Sequence, residues 1–409
     1  MKCGLLGRKL GHSYSPAIHA QLGHYEYALY EKEPDELEDF LRHGDFTGLN
    51  VTIPYKKDVV PYCSALSDAA RTLGSVNTLM RLPDGTLYGD NTDYDGFLSL
   101  VRQSGVDIAG KKALVLGSGG ASVTVCAVLR ALGAQVVVIS RSGEDNYDNL
   151  SRHADAALVA NTTPVGMYPH NGERPVDLSA FPRCEAVYDI VYNPERTALM
   201  LQAERLGIPS YGGLHMLVGQ ARRASEIWQG KAIPHTETTR IESLLRRDTR
   251  NIVLVGMPGC GKSSVAAALG QALGREVCDS DALIEELAGC PIPEIFATQG
   301  EDAFRRLETE AIGQLGKRSG IILATGGGCV TRPENYPLLH QNGIIFWLQR
   351  ELSALPTDGR PLSQAGRPLG RHLVRGYHQW SRYGTEHTCR LALPRQGSVQ
   401  CAELWRRGG

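Results

Sequence analysis

The sequence predicts an α/β protein with more than one sheet, and three observations carry that expectation. At 409 residues the chain exceeds the size, about 250 residues, at which a single hydrophobic core stops growing. Two stretches pass from β-branched apolar residues through a glycine-rich turn into a run of small residues, one beginning Ala113-Leu114-Val115-Leu116-Gly117 and the other Ile252-Val253-Leu254-Val255-Gly256. Each pattern suits the first strand, turn and helix of a parallel α/β sheet. Ahead of Gly110 lies a third α/β region, with strands expected over 2–6 and 48–52 and a helix over 35–43.

Composition narrows the partners. A net charge of -1 and a pI near 6.9 lack the basic excess needed to grip nucleic acid or an anionic membrane, so a small molecule is expected. No apolar run reaches the roughly 18 residues of a membrane span, and the opening Met1-Lys2-Cys3-Gly4-Leu5-Leu6-Gly7 is too short and glycine-rich for a signal sequence. A cytoplasmic chain is the expectation. The ten cysteines are scattered without a C-x-x-C pair, which reads as idle thiols in a reducing compartment.

Domain organisation follows from the same landmarks. Residues 1–235 form the first part, with a lobe over 1–100, a Rossmann-like domain over 101–213, and a helix over 214–230 that returns to the lobe. Apolar residues at helical spacing between Leu214 and Gln229 predict that helix. Residues 236–250, with Thr236, Thr238, Thr239 and Arg246-Arg247-Asp248, are polar enough to be read as a linker. A P-loop α/β/α domain occupies 251–409.

The second glycine turn is specific. Gly256-Met257-Pro258-Gly259-Cys260-Gly261-Lys262-Ser263 fits G-x-x-x-x-G-K-[ST] between a strand and a helix expected from Ser264. Backbone N–H groups of Gly259, Cys260, Gly261 and Ser264 face phosphate in such a loop, Lys262 reaches the β and γ groups of ATP, and Ser263 ligates Mg²⁺. Further on come Asp279-Ser280-Asp281, Arg305 within Gly300-Glu301-Asp302-Ala303-Phe304-Arg305-Arg306-Leu307-Glu308, Gly326-Gly327-Gly328, and Gly359-Arg360-Pro361-Leu362. Singly these are ordinary: an Asp-Ser-Asp is more often a turn, and a helical arginine more often solvated. In joint order and spacing they resemble the shikimate kinases.

That resemblance implies roles. Asp281 orients or deprotonates the attacking hydroxyl, and Asp279 is tied to Mg²⁺. Arg305 offers a planar fork to the substrate carboxylate, and Gly326, Gly327 and Gly328 let backbone approach the ring. Arg360 meets the ATP phosphates from a mobile lid. The family's R-x-P-x-Y segment is not matched by Leu373 to Tyr383, where Arg375 and Arg382 are the available cations, and from about Ala365 the pattern diverges.

In the first part, Gly117-Ser118-Gly119-Gly120-Ala121 opens a helix after a strand, a turn able to lay a pyrophosphate against a helix N-terminus. The next strand, 135–139, ends in Ser140-Arg141. A cation there suits the 2′-phosphate of NADP(H), where an NAD enzyme carries an acid; Glu144 and Asp145 lie just beyond.

Four segments of the lobe, His12-Ser13-Tyr14-Ser15-Pro16, Asn50 to Lys56, Gly74 to Thr78 and Gly89 to Phe97, resemble in order the substrate signatures of shikimate dehydrogenases, and Asn161 to Met167 and Asp189 to Pro194 resemble that family's later motifs. By that resemblance Ser13, Ser15, Thr52, Asn77, Tyr192 and Gln220 bind a hydroxylated ring and its carboxylate. Lys56 and Asp93 flank the reacting carbonyl, where an ammonium held by a carboxylate supplies the proton that follows hydride, and Ile190 and Gly213 border the cofactor. The chain departs from the family at Ser118, at Ser140-Arg141-Ser142, and at His215, where a small residue or proline is usual.

The resulting expectation is a bifunctional enzyme that reduces 3-dehydroshikimate with NADPH and phosphorylates shikimate with ATP and Mg²⁺. Two alternatives stay open: a second half that binds ATP or shikimate without turnover, and a first half acting on quinate with NAD.

Overall fold

The computed structural model describes residues 1–11, 13–349 and the strand Thr388–Ala392. Arg360, Arg375, Arg382 and the segment beyond Ala365 lie outside the described residues apart from that strand, as does His12. The chain divides into two compact units: Met1–Val165, Pro175–Tyr192 and Ile208–Ser243 make one, and Gly166–Arg174, Asn193–Gly207 and Leu244–Gly409 make the other. Among the described residues no helix is long and apolar enough to cross a membrane.

The first unit contains two sheets. One has six strands in the order Glu26–Glu31, Lys2–Gly7, Gly48–Val51, Thr78–Arg81, Leu87–Asp90, Cys63–Leu66. It begins parallel, is antiparallel from Gly48–Val51 through Thr78–Arg81 to Leu87–Asp90, and ends with Cys63–Leu66 parallel to Leu87–Asp90. Leu6, Leu49, Val76 and Leu79 fill the core beneath it.

The other sheet is wholly parallel, in the order Ser210–Gly212, Ala186–Asp189, Leu158–Asn161, Lys112–Leu116, Gln135–Ile139. The order reverses between Lys112–Leu116 and Leu158–Asn161, and the carboxyl ends of strands beside such a reversal are where an open α/β sheet leaves a crevice for ligands.

Two helices link the lobes. Helix Asp93–Ser104 starts with Asp93 and Asp95 in its first turn, buries Phe97, Leu100 and Val101 at helical spacing, and stops at Gly105, whose φ of 67° is left-handed. Helix Leu214–Gln229 runs against it. A methyl on Gly96 would stand 2.5 Å from the carbonyl oxygen of Met216, and one on Gly219 would stand 3.2 Å from the Gly96 Cα, so the two backbones touch where both helices lack side chains. At its far end Trp228 donates to the Leu79 carbonyl at 2.9 Å and covers Gly48, bringing the helix back onto the six-stranded sheet.

The segment read from composition as a linker is a helix, Thr236–Thr249. Thr238, Ile241, Glu242 and Leu245 are buried along one face, and the division between the two units falls after Ser243, inside this helix.

The second unit holds a parallel sheet in the order Val277–Asp279, Ile322–Ala324, Asn251–Gly256, Gly343–Gln349, Thr388–Ala392. The phosphate-type loop leaves its central strand. Elsewhere in the unit the Glu195 carboxylate accepts from Arg246 at 2.7 Å and from Arg250 at 2.6 Å. Burial pushes this carboxyl up, but Arg196, Arg250 and Arg246 together hold it well below the usual carboxylate range.

Overpacking the helix contact has a measurable cost. Gly96→Ala is expected to destabilise the protein by about 1–3 kcal/mol, read as a lower urea midpoint for the first unit. An unchanged midpoint would show that the helices have room to part.

Candidate active sites

In the first unit the chain leaves strand Gly48–Val51 through Thr52, whose N–H donates to the Leu6 carbonyl at 2.9 Å, and Tyr55, which is buried. Val76 N–H donates to the Lys56 carbonyl at 2.7 Å, which fixes the backbone of that lysine. Its Nζ donates to Asp93 Oδ2 at 2.6 Å, with the side chains 33% and 20% exposed. Most of each side chain is thus withdrawn from water, while an edge stays open to a ligand. Asp93 is the first residue of its helix, where the exposed N–H groups favour a carboxylate.

A buried polar network lies beside this pair. Asn77 Oδ1 accepts from Thr92 N–H at 2.7 Å, Thr92 Oγ1 at 3.1 Å and Thr78 Oγ1 at 3.1 Å. Thr92 Oγ1 also lies 3.4 Å from Gln220 Oε1, sharing its hydrogen between the two amide oxygens. The two amides expected from sequence, Asn77 and Gln220, are therefore joined through Thr92, the residue before Asp93. Ser13 and Ser15 stand together at the head of helix Ser15–Leu22, with Ser15 N–H donating to Ser13 Oγ at 3.2 Å. The Tyr192 ring meets that of Tyr14, centroids 5.7 Å apart. Thr92, Thr78 and Tyr14 were given no role from sequence, although each sits inside or beside a quoted motif.

At the parallel sheet, Gly117 has a left-handed φ of 104°, and Gly119 caps helix Gly120–Ala131. Space around Gly119 and Gly120 is open while Gly117 packs against Thr162 and Thr163, so the turn Gly117, Ser118, Gly119, Gly120 and Ala121 is anchored at its start and presents open backbone at the helix N-terminus, where a pyrophosphate would lie. Ser140 N–H donates to the Asp145 carbonyl, and the Asp145 carboxylate is engaged by His153 Nε2 at 2.8 Å. Of the two acids just beyond Arg141, Asp145 thus has a partner, while Arg141 is exposed. Ile190 N–H donates to the Asn161 carbonyl at 3.1 Å, and Gly213 lies against the Ile190 carbonyl so closely that no side chain fits. These residues fit an NADP(H) phosphate backbone.

The second unit encloses a cavity of about 610 Å³ whose walls include Lys262, Ser263, Asp279, Asp281, Arg305 and Glu308. Gly259 and Gly261 have φ of 78° and 102°, values that only glycine adopts without strain, and they flank Cys260 in the loop that leads into helix Lys262–Leu273. Lys262 Nζ donates to the carbonyls of Gly256 at 2.8 Å and Met257 at 3.2 Å, folded back on its own loop. Ser264 lines the same cavity. Ser263 Oγ lies 3.3 Å from Asp279 Oδ2. A hydroxyl beside a carboxylate is an all-oxygen donor pair that fits Mg²⁺ with phosphate and water completing its shell.

Asp279 also accepts from Asp281 N–H at 2.9 Å, which sets Asp281 on the first turn of helix Ser280–Ala288. Arg305 is 4% exposed, not solvated. It donates from Nη1 to Glu308 at 2.8 Å and from Nη2 to Glu301 at 3.2 Å. Glu308, fully buried, had no assigned role from sequence; its place three residues after Arg305, on the same helical face, was the available signal.

Each of the three glycines makes room for a different neighbour. A methyl on Gly326 would meet Asp281 Oδ1 at 2.7 Å and Glu308 Oε1 at 3.0 Å, one on Gly327 would meet Pro258 at 2.6 Å, and one on Gly328 would strike the Arg305 guanidinium. The turn was expected to let backbone reach a ring. It also seats the charged groups of the cavity wall. Arg360 lies outside the described residues.

Comparison with known proteins finds a family for each half of the chain. The family described as shikimate dehydrogenase substrate binding domain matches residues 5–79, and the family described as shikimate kinase matches residues 258–379. A shikimate dehydrogenase (NADP(+)) from Clostridium beijerinckii is 36% identical over 266 residues, covering 60% of this chain and 98% of the relative. Among solved structures, a chorismate mutase/shikimate 5-dehydrogenase fusion protein from Clostridium acetobutylicum superposes with a TM-score of 0.57 at 35% identity, covering 60% of this chain and 96% of that one. Shikimate 5-dehydrogenase from Thermus thermophilus, in complex with NADP(H) and shikimate, does so at 0.55 and 29% identity, covering 60% and 99%.

Burial, and after it the neighbouring Asp279, pushes the Asp281 carboxyl above its ordinary value, with Lys262 pulling the other way. A raised folded-state value means that the stability tied to this proton is complete below the unfolded value of about 3.9 and is lost as pH climbs through the raised one. Above the unfolded value the group therefore costs stability, increasingly so as pH rises. Asp281→Asn is expected to raise the thermal midpoint at pH 7 and to raise it less at pH 4, in paired calorimetric scans; an equal shift at both would exclude ionisation as the cause.

Proposed function

We infer, from a chain that belongs to the shikimate dehydrogenase family and carries a shikimate kinase domain after it, that one polypeptide reduces 3-dehydroshikimate to shikimate and then phosphorylates shikimate at its 3-hydroxyl. The observation that carries the reading is the Lys56–Asp93 pair at 2.6 Å. Its counterpart in the second unit is a cavity shared by Lys262 and Asp281. Each unit thus has its own lysine and its own carboxylate.

In the first reaction NADPH supplies the hydride. Reduction places negative charge on the former carbonyl oxygen, and Lys56 gives that oxygen a proton from Nζ. Asp93, fixed at its helix start, keeps the ammonium oriented beforehand and steadies the neutral amine until it is reprotonated from solvent. Asn77 and Gln220, joined through Thr92, turn their free amide hydrogens to ring hydroxyls, and Ser13, Ser15, Thr52 and Tyr192 complete the contacts of ring and carboxylate. Arg141 faces the 2′-phosphate and so favours NADP(H) over NAD.

In the second reaction the loop 256–263 cradles the phosphates of ATP, and Lys262 turns from its own carbonyls toward them. Mg²⁺ held by Ser263 and Asp279 would offset charge on the phosphates. Asp281 accepts the proton of the attacking hydroxyl; its raised affinity for a proton suits a base that must take one up during transfer. Arg305, braced by Glu308, binds the ring carboxylate. The substrates are small acids, with no role for nucleic acid or a membrane, and a cytoplasmic location belongs to the same reading.

Two variants separate the sites. Lys56→Ala is expected to abolish NADPH oxidation with 3-dehydroshikimate and leave ADP release with shikimate intact, and Lys262→Ala to do the reverse. Loss of both activities in either variant refutes independent sites. Asp281→Asn is expected to slow ADP release about 100-fold or more without touching reduction. If wild-type protein binds shikimate yet releases no ADP above background, the second half is a binding module.

A further inference from the structure

We propose that His215 is a positioning residue of the reductase site, tying the helices that carry Asp93 and Gln220 to helix Thr236–Thr249; the inference rests on the dehydrogenase reading above. His215 is the second residue of helix Leu214–Gln229, and its side chain is 4% exposed. Both ring nitrogens are used. Nδ1 lies 2.8 Å from Glu242 Oε2, and Nε2 lies 3.0 Å from Ser99 Oγ. In the tautomer with its hydrogen on Nδ1, the ring donates to the Glu242 carboxylate and accepts from Ser99 Oγ. Glu242 is itself 6% exposed.

The imidazole therefore bridges three helices at one point: Ser99 on Asp93–Ser104, His215 on Leu214–Gln229, and Glu242 on Thr236–Thr249. The first two meet through Gly96 and Gly219. A contact between bare backbones is close but smooth, because it lacks the interlocking side chains that set the register of packed helices along their axes. Register there comes from specific bonds together with the packing beside the glycines, where Phe97, Leu100 and Met216 share one core cluster. One is the 3.4 Å contact of Thr92 with Gln220, long for a hydrogen bond between oxygens. Another is the Asp95–Arg223 ion pair at 3.9 Å, with both side chains more than a third exposed, and the buried His215–Ser99 contact at 3.0 Å is the shortest of these.

A slip between these helices would shift Gln220 relative to Asp93, and would shift Gly213, two residues before His215, relative to Ile190. The ring-binding amide, the proton-delivering pair and the cofactor border would all be displaced together. His215 touches none of the reacting atoms; it acts through the residues that do.

The test uses the full chain and compares wild type with His215→Ala, Glu242→Ala, Glu242→Gln and the double variant His215→Ala/Glu242→Ala. NADPH oxidation is followed well below the unfolding midpoint, ADP release serves as internal control, and amide hydrogen exchange is measured over 214–220. Each Ala variant is expected to lose about tenfold or more in reductase kcat, more than either KM changes, with ADP release within twofold of wild type. Glu242→Gln, whose amide oxygen still accepts from Nδ1, should retain most of the activity. The double variant should be no worse than a single one, as for two ends of one tie. Exchange over 214–220 should quicken in His215→Ala.

Reductase kcat and KM within twofold of wild type in His215→Ala would overturn the proposal, even if the unfolding midpoint falls, because that would be a brace without catalytic consequence. Equal losses in Glu242→Gln and Glu242→Ala would overturn it too. A wild-type chain that oxidises no NADPH sinks the dehydrogenase reading instead, and the exchange measurement still decides the tie: unaltered exchange rejects it, faster exchange upholds it.

Discussion

The reductase site depends on two helices meeting where neither has a side chain. With Gly96 against the Met216 carbonyl and Gly219 against Gly96, the Asp93 helix and the Gln220 helix run close enough for Thr92 to connect Asn77 with Gln220. Asp93 then stands at the helix start within reach of Lys56, a residue delivered by the turn after strand Gly48–Val51. Larger residues at the contact would part the helices, and a charge pair that works at 2.6 Å weakens steeply once water enters between its members.

The second unit uses glycine for a related end by a different route. Its three consecutive glycines lie against an arginine, two carboxylates and a proline, so a flat turn permits charged groups to gather around one cavity. The gathering is costly in isolation, since burial pushes the carboxyls of both Asp281 and Glu308 up. Arg305 offsets part of that for Glu308. Removing one member of such a buried pair leaves the other uncompensated, which is why the arginine and the glutamate function as one piece.

Much of this was legible in the chain, for identifiable reasons. Strand Gln135–Ile139 and helix Leu214–Gln229 announced themselves by β-branched content and by helical spacing, two signals that burial enforces directly. Helix Thr236–Thr249 hid. Its buried face is Thr238, Ile241, Glu242 and Leu245, an i, i+3, i+4, i+7 series in which two of four members are polar, so a reading based on hydropathy sees only a solvated stretch. Nor does composition show that Gly166–Arg174 and Asn193–Gly207 group with the second unit; those contacts are long-range and carry no local signature. Asp145 lies near Arg141 in the sequence, and only the fold shows that His153 engages it. Glu308 was visible as a letter and invisible as a partner until burial gave Arg305 a reason to need one.

Helix Thr236–Thr249 bears on how such a gene can be divided. Its first half holds Glu242, bonded to His215, and its second half holds Arg246, which, with Arg250 just beyond, surrounds Glu195. Wherever a break fell within those fourteen residues, Glu195 would pass to one product and Arg250 to the other, and a break ahead of Glu242 would part that acid from His215 as well. Evolutionary fission of this chain into two free-standing enzymes would thus require these buried charges to be replaced on each side first.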